Sequence, residues 1–106
     1  MKRFKLTDSG ARGWFIGDFE SAVHRTQDFE VCYQHNPRGK PDTHIHKEIT
    51  EITLIISGRA VVNGELFEAG DIHVLYPNDI SQIEYLEDTE VVTIKTPSIP
   101  SDKFML

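Results

Sequence analysis

Apolar and polar residues alternate most cleanly from Phe29 to His35 (FEVCYQH). Phe29, Val31, Tyr33 and His35 share one face there, and Glu30, Cys32 and Gln34 share the other. This pattern predicts a half-buried strand. Trp14 to Glu20 alternates more loosely and predicts a short strand interrupted near Gly17, while Ser21 to Asp28 is polar and reads as a loop or a single helical turn. The run from Ile49 to Ile56 is rich in β-branched residues and apolar on both faces, so both sides of that strand need a cover. In so small a chain, a second subunit is the expected source of one cover. Asn63-Gly64 between apolar runs marks a hairpin over Ala60 to Phe67, because a type I′ turn needs positive φ at both central positions. Ile72 to Tyr76, Gln82 to Leu86 and Val91 to Thr96 supply three more strands. No amphipathic helix of three turns and no repeat interrupts them, so the expected class is all-β, a sandwich or barrel.

Composition narrows the picture. The 106 residues fit one domain, with the barrel core over about 29–96, an N-terminal arm or edge strand over 1–20, and an extended tail over 97–106. A net charge of −6 without a Lys/Arg block argues against nucleic acid or an acidic membrane as partner. Cys32 is the only cysteine, which excludes an intramolecular disulfide and suits a reducing, cytoplasmic setting. The basic start is not followed by the apolar core of a secretory signal, and no run approaches membrane-spanning length.

The candidate chemistry lies in Gly39 to Gly58, GKPDTHIHKEITEITLIISG. The Pro- and Gly-rich cluster from Asn36 to Asp42 presents His44 and His46, which stand one residue apart. Residues i and i+2 of a strand face the same side about 6.5–7 Å apart. Two such imidazoles converge on one ion at about 2.0–2.1 Å. Glu51 lies too far along to join them directly, so residues 47–50 must bend or cross to a neighbouring strand. A carboxylate in an apolar run is costly to bury without a cation or donors, which favours a ligand role for Glu51. Two histidines and one carboxylate with open positions form the ligand set of non-haem Fe(II) chemistry and also suit Mn, Ni or Zn. Tyr33, His35, Tyr76 and Tyr85 are further candidates for the barrel interior, with Tyr33 and His35 joining His44 and His46 as catalytic candidates. Arg38, Lys40 and Lys47 lie near the motif as solvated loop charges or as a clamp for an anion. Cys32 reads as packing, and His24 and His73 have no motif around them.

The spacing Gly39-x4-His44-x-His46-x4-Glu51-x6-Gly58 resembles the first motif of the cupin superfamily, and Gly70-x6-Pro77-x-Asp79 stands in the place of the second. The resemblance covers roughly Asn36 to Thr96 and implies a jelly-roll β-barrel that forms homodimers and holds a divalent metal ion. Where metal-binding cupins carry a third histidine, this chain has Gln82, whose neutral carbonyl oxygen is a weaker ligand. The implied metal set is therefore His44, His46 and Glu51 with Gln82 assisting, acting on a small molecule of sugar or carboxylate type by oxygenase or isomerase chemistry. His44-Ile45-His46-Lys47 is also similar to a segment of nucleotide-sugar ketoisomerases, which implies a metal-independent alternative with histidine and tyrosine moving protons. A non-enzymatic small-molecule-binding cupin is the third reading.

Overall fold

The computed structural model describes residues 1–106. After two single 3-10 turns, Leu6–Asp8 and Ala11–Gly13, the chain forms twelve strands. In order they are β1 Trp14–Gly17, β2 His24–Arg25, β3 Glu30–Asn36, β4 His44–Ile45, β5 Thr50–Ser57, β6 Arg59–Val62, β7 Glu65–Glu68, β8 Ile72–Leu75, β9 Ile80–Ser81, β10 Ile83–Tyr85, β11 Thr89–Thr96 and β12 Phe104–Met105. A six-stranded sheet runs β2-β1-β3-β11-β5-β8, and two three-stranded sheets run β10-β6-β7 and β12-β4-β9. Together they make a jelly-roll barrel. No helix is long and apolar enough to cross a membrane.

The expected hairpin forms between β6 and β7, with Asn63 at φ 48° and Gly64 at φ 83°. Gly58 closes β5 at φ 89°, where an added Cβ would lie 2.5 Å from the Asp88 carbonyl oxygen. Only glycine fits that corner. The strand expected over Gln82 to Leu86 is the shorter β10, Ile83–Tyr85, set apart from β9 at Gln82, which donates its N–H to Asn63 Oδ1 and accepts the Asn63 N–H on its carbonyl. That clamp interrupts regular pairing at one residue.

Register sorts the barrel interior into rows across the long sheet. Glu30, Lys95, Glu51 and Leu75 form one row, and Cys32, Thr93, Thr53 and His73 form the next. Further along lie Gln34, Val91 and Ile55. Val91, Ile55, Ala60 and Val62 are buried and pack one end of the barrel, whereas the Glu30 end is polar and open. Burial of apolar side chains at the first end supplies the stability that lets the second end stay hollow. Cys32 is fully buried between the two regions, and burial pushes its thiol up to about 11. It acts as packing.

His73 sits in the core against the Phe67 ring, with centroids 5.2 Å apart, and its Nδ1 has no partner. Burial holds its pKa below the ordinary value, since the charged ring has nothing to replace water; the Glu51 charge opposes this only in part. The unfolded chain therefore takes up a proton that the folded chain refuses, and stability falls as pH drops through the unfolded value of about 6.5. In denaturant titrations, His73→Leu should gain stability on the native chain as pH falls from about 7.5 to about 5.5. A gap independent of pH would rule out this role.

Candidate metal centre

Three segments from two sheets build the centre. His44 lies on β4, His46 follows it, and Glu51 lies on β5 in the long sheet. The bend at residues 47–49 makes the crossing that the spacing demands. His44, His46 and Glu51 bring their ligand atoms within 4.8 Å of one another. His46 and Glu51 are 4% and 7% exposed, while His44 and Glu51 face a cavity of about 480 Å³.

The C-terminal tail holds this geometry. The Asp102 carboxylate, 5% exposed, accepts the backbone N–H groups of Lys47 at 2.9 Å, Glu48 at 2.8 Å and Ile49 at 3.0 Å. Its carbonyl oxygen accepts Nδ1–H of His46. Burial pushes the Asp102 carboxyl up, but the three backbone donors together outweigh it and hold the group below the usual carboxylate range. One residue thus fixes both the bend between the two histidines and Glu51 and the tautomer of His46. β12 continues the strap by pairing with β4, Phe104 opposite Ile45 and Met105 opposite His44. Lys103 Nζ lies 2.8 Å from Asp42 Oδ2, and the Asp42 carbonyl lies 3.3 Å from His44 Nδ1.

The donor set fits a cation. With Nδ1 of His46 committed to Asp102, its Nε2 faces Glu51 Oε2 at 3.0 Å, and a positive charge there satisfies both lone pairs. Burial pushes Glu51 up, yet its contact with His46 and the nearby Lys95 charge keep it below the ordinary range. Burial also holds His44 below its ordinary pKa, helped by the Lys103 charge, so its ring is neutral near pH 7. A neutral imidazole is what ligation requires.

Other candidates lie elsewhere. Gln82 is exposed and absent from the cavity wall; the Asn63 clamp sets the register so that Ser81 and Ile83 point inward and Gln82 outward. A fourth-ligand role for Gln82 is corrected accordingly. Tyr33 and His35 are also outside, because the polar face of β3, Glu30, Cys32, Gln34 and Asn36, turns into the cavity. Tyr33 donates its hydroxyl to Glu90, which raises its pKa, and His35 lies 3.8 Å from Asp88. Tyr76 is 62% exposed, whereas Tyr85 lines the cavity, and burial pushes its phenol up to about 12. Arg38 and Lys40 are exposed, and Lys47 Nζ stands over the Phe104 ring at 4.0 Å. The basic residues at the cavity are Arg12, Lys95 and Lys103. Asp102, Ser81 and Lys95 had no motif to announce them; the alternation of Lys95 with Thr93 along β11 was the one available signal.

A jelly-roll barrel with a histidine–carboxylate cluster at its open end defines the class. No family model matches the chain, and no curated protein matches it by sequence. Among solved structures, a cupin protein from Bacteroides fragilis is 30% identical, with 68% of each chain covered and a TM-score of 0.57. The chain belongs to the cupin family. The pirin YhhW from Escherichia coli, solved in complex with nickel(II), is 18% identical, with 92% of this chain and 43% of that chain covered and a TM-score of 0.70. Pac13, a nucleoside dehydratase from Streptomyces, is 16% identical, with 100% and 91% covered and a TM-score of 0.71.

The strap makes a direct prediction. Asp102→Ala should lower affinity for added Zn(II) or Ni(II) by about 10- to 100-fold while the β-signature in circular dichroism persists, with Asp102→Asn intermediate. Unchanged metal affinity in the folded Asp102→Ala protein would remove Asp102 from the centre.

Proposed function

We propose that this cupin holds a divalent ion at His44, His46 and Glu51 and acts with it on a small polar molecule of sugar or carboxylate type. The convergence of three ligand atoms within 4.8 Å at the wall of a 480 Å³ cavity carries the reading. When bound, such an ion supplies a Lewis acid for a carbonyl or carboxylate oxygen, and the same ligand set also suits Fe(II) chemistry with dioxygen. The chain's own residues bind and orient. Asp102 keeps His46 aimed, Trp14 and Phe19 wall the cavity, and Asn36 donates to the Tyr85 hydroxyl at 3.2 Å. The nickel(II) in YhhW and the nucleoside chemistry of Pac13 support a metal and a sugar-bearing molecule, respectively, in barrels of this shape.

A metal-free proton-transfer reading is weaker, because Tyr33 and His35 stand outside the cavity and Tyr85 is held protonated. Glu51→Gln separates the two. Protein purified without chelator should contain about one divalent ion per chain, and Glu51→Gln should lose it. Added Mn, Fe, Ni or Zn at a hundredfold excess over Kd should stabilise the native chain by about 2.7 kcal/mol, a Tm rise on the order of 10 °C. No ion and no Tm response would overturn the metal reading.

The proposal extends to assembly as a homodimer. β5 and the edge strand β8 present Leu54, Ile56, Ile72 and Val74 outward at 38%, 43%, 58% and 37% exposure, the apolar outer face for which a cover was expected. A second copy laid on this face would bury it. In sedimentation, the native chain should run as a dimer and Leu54→Lys/Ile72→Lys as a monomer. A native monomer at micromolar concentration would contradict this assembly. The single buried thiol of Cys32 supports a cytoplasmic setting.

A further inference from the structure

We propose that the cavity contains a cationic subsite at Lys95, and that its ligand is a small organic acid with one end on the metal centre and an anionic group on Lys95. The inference rests on the metal reading above and names the substrate class for that site.

Lys95 stands on β11 directly between Glu30 on β3 and Glu51 on β5, and it lines the cavity. Cross-strand neighbours of this kind normally pair when their charges are opposite. Here they do not. No carboxylate oxygen lies within 4.0 Å of the Lys95 ammonium. Its neighbours are committed elsewhere: Glu30 Oε2 accepts the Ser98 hydroxyl at 3.0 Å, and Glu51 Oε2 meets His46 at 3.0 Å. The ammonium instead sits 4.7 Å from the centre of the Trp14 ring, which fixes its position without supplying an acceptor. The ammonium, with three N–H donors, thus belongs to a residue of the cavity wall and has no protein oxygen as its partner.

Ser81 supplies an independent observation. It is 2% exposed, lines the same cavity, and its Oγ has no hydrogen-bond partner. It lies directly opposite His44 in the β4–β9 pair, and both residues line the cavity. A buried hydroxyl left unpaired costs stability, and a ligand oxygen at the centre would satisfy it.

Charge selects the ligand. Arg12, Lys95 and Lys103 balance Glu30, Asp42 and Glu51 around the cavity. A divalent ion then leaves the cavity two charges positive, and an anion restores neutrality in a space where unpaired charge is expensive. A neutral sugar would fill volume but leave the Lys95 ammonium without a direct ion-pair partner and the metal-loaded cavity net positive.

The test compares L-malate with L-lactate by isothermal titration of protein loaded with Mn(II) or Zn(II), with metal content measured on the same samples. Both acids offer a 2-hydroxycarboxylate to a metal; only malate carries a further carboxylate. Malate should bind about tenfold or more tightly than lactate. Lys95→Met should erase that preference with metal content unchanged, Lys95→Arg should restore it, and Ser81→Ala should weaken both acids. A preference that survives in folded Lys95→Met overturns the proposal, as does tighter binding of xylose or uridine than of either acid, or no binding of either acid to metal-loaded protein. If the chain takes up no metal, the metal reading fails separately. The subsite is then read with succinate on the metal-free protein: binding lost in Lys95→Met upholds it, and absent or unchanged binding overturns it.

Discussion

The Asp102 carboxylate on three consecutive backbone N–H groups is the interaction on which the site depends. Those donors belong to the bend that carries the chain from the histidine strand to the Glu51 strand, and a bend has no ladder of its own to satisfy them. Buried without partners, they would force the loop outward toward water. The carboxylate satisfies them from 53 to 55 residues away, and the carbonyl of the same residue takes the His46 ring proton. Tail, bend and ligand therefore move together.

The barrel can support this because its interior is unevenly filled. Rows of Val91, Ile55, Ala60 and Val62 bury one end, a middle row carries the hydrogen bond between Thr53 and Thr93 hydroxyls at 3.0 Å, and the Glu30–Lys95–Glu51 row opens onto the cavity. Moving along β5 from Ile55 to Glu51 means passing from core to site in four residues. Rigid strands place the polar groups, and strand ends give access to them. The outer face of the same strand remains apolar, so the site and the surface proposed for a second copy are two sides of one element.

Much of this was legible in the chain. Period-2 alternation located β3, the Asn63-Gly64 pair located its hairpin, and the histidine–glutamate spacing with its glycines pointed to the barrel and the cluster. Alternation, however, states which residues share a face and not which face turns inward. In β3 the cavity is polar, so Glu30 and Gln34 enter it and Tyr33 and His35 stay outside. The same parity question decided Gln82 against Ser81 on the next wall. Asp102 was illegible for a different reason: its partners are backbone groups, which every residue carries, and nothing in an expected extended tail signals long-range docking. Lys95 was hidden because a lysine at a strand end ordinarily reads as solvated.

The central claim is that His44, His46 and Glu51 form one ion site held by the tail. Anomalous diffraction from crystals grown with Zn(II) or Ni(II) tests it most directly. The account predicts one strong anomalous peak among the three side chains, within about 2.0–2.2 Å of Nε2 of each histidine and of a Glu51 oxygen, with Gln82 outside the coordination sphere. A peak elsewhere, or none at this cluster in metal-soaked crystals, would contradict it.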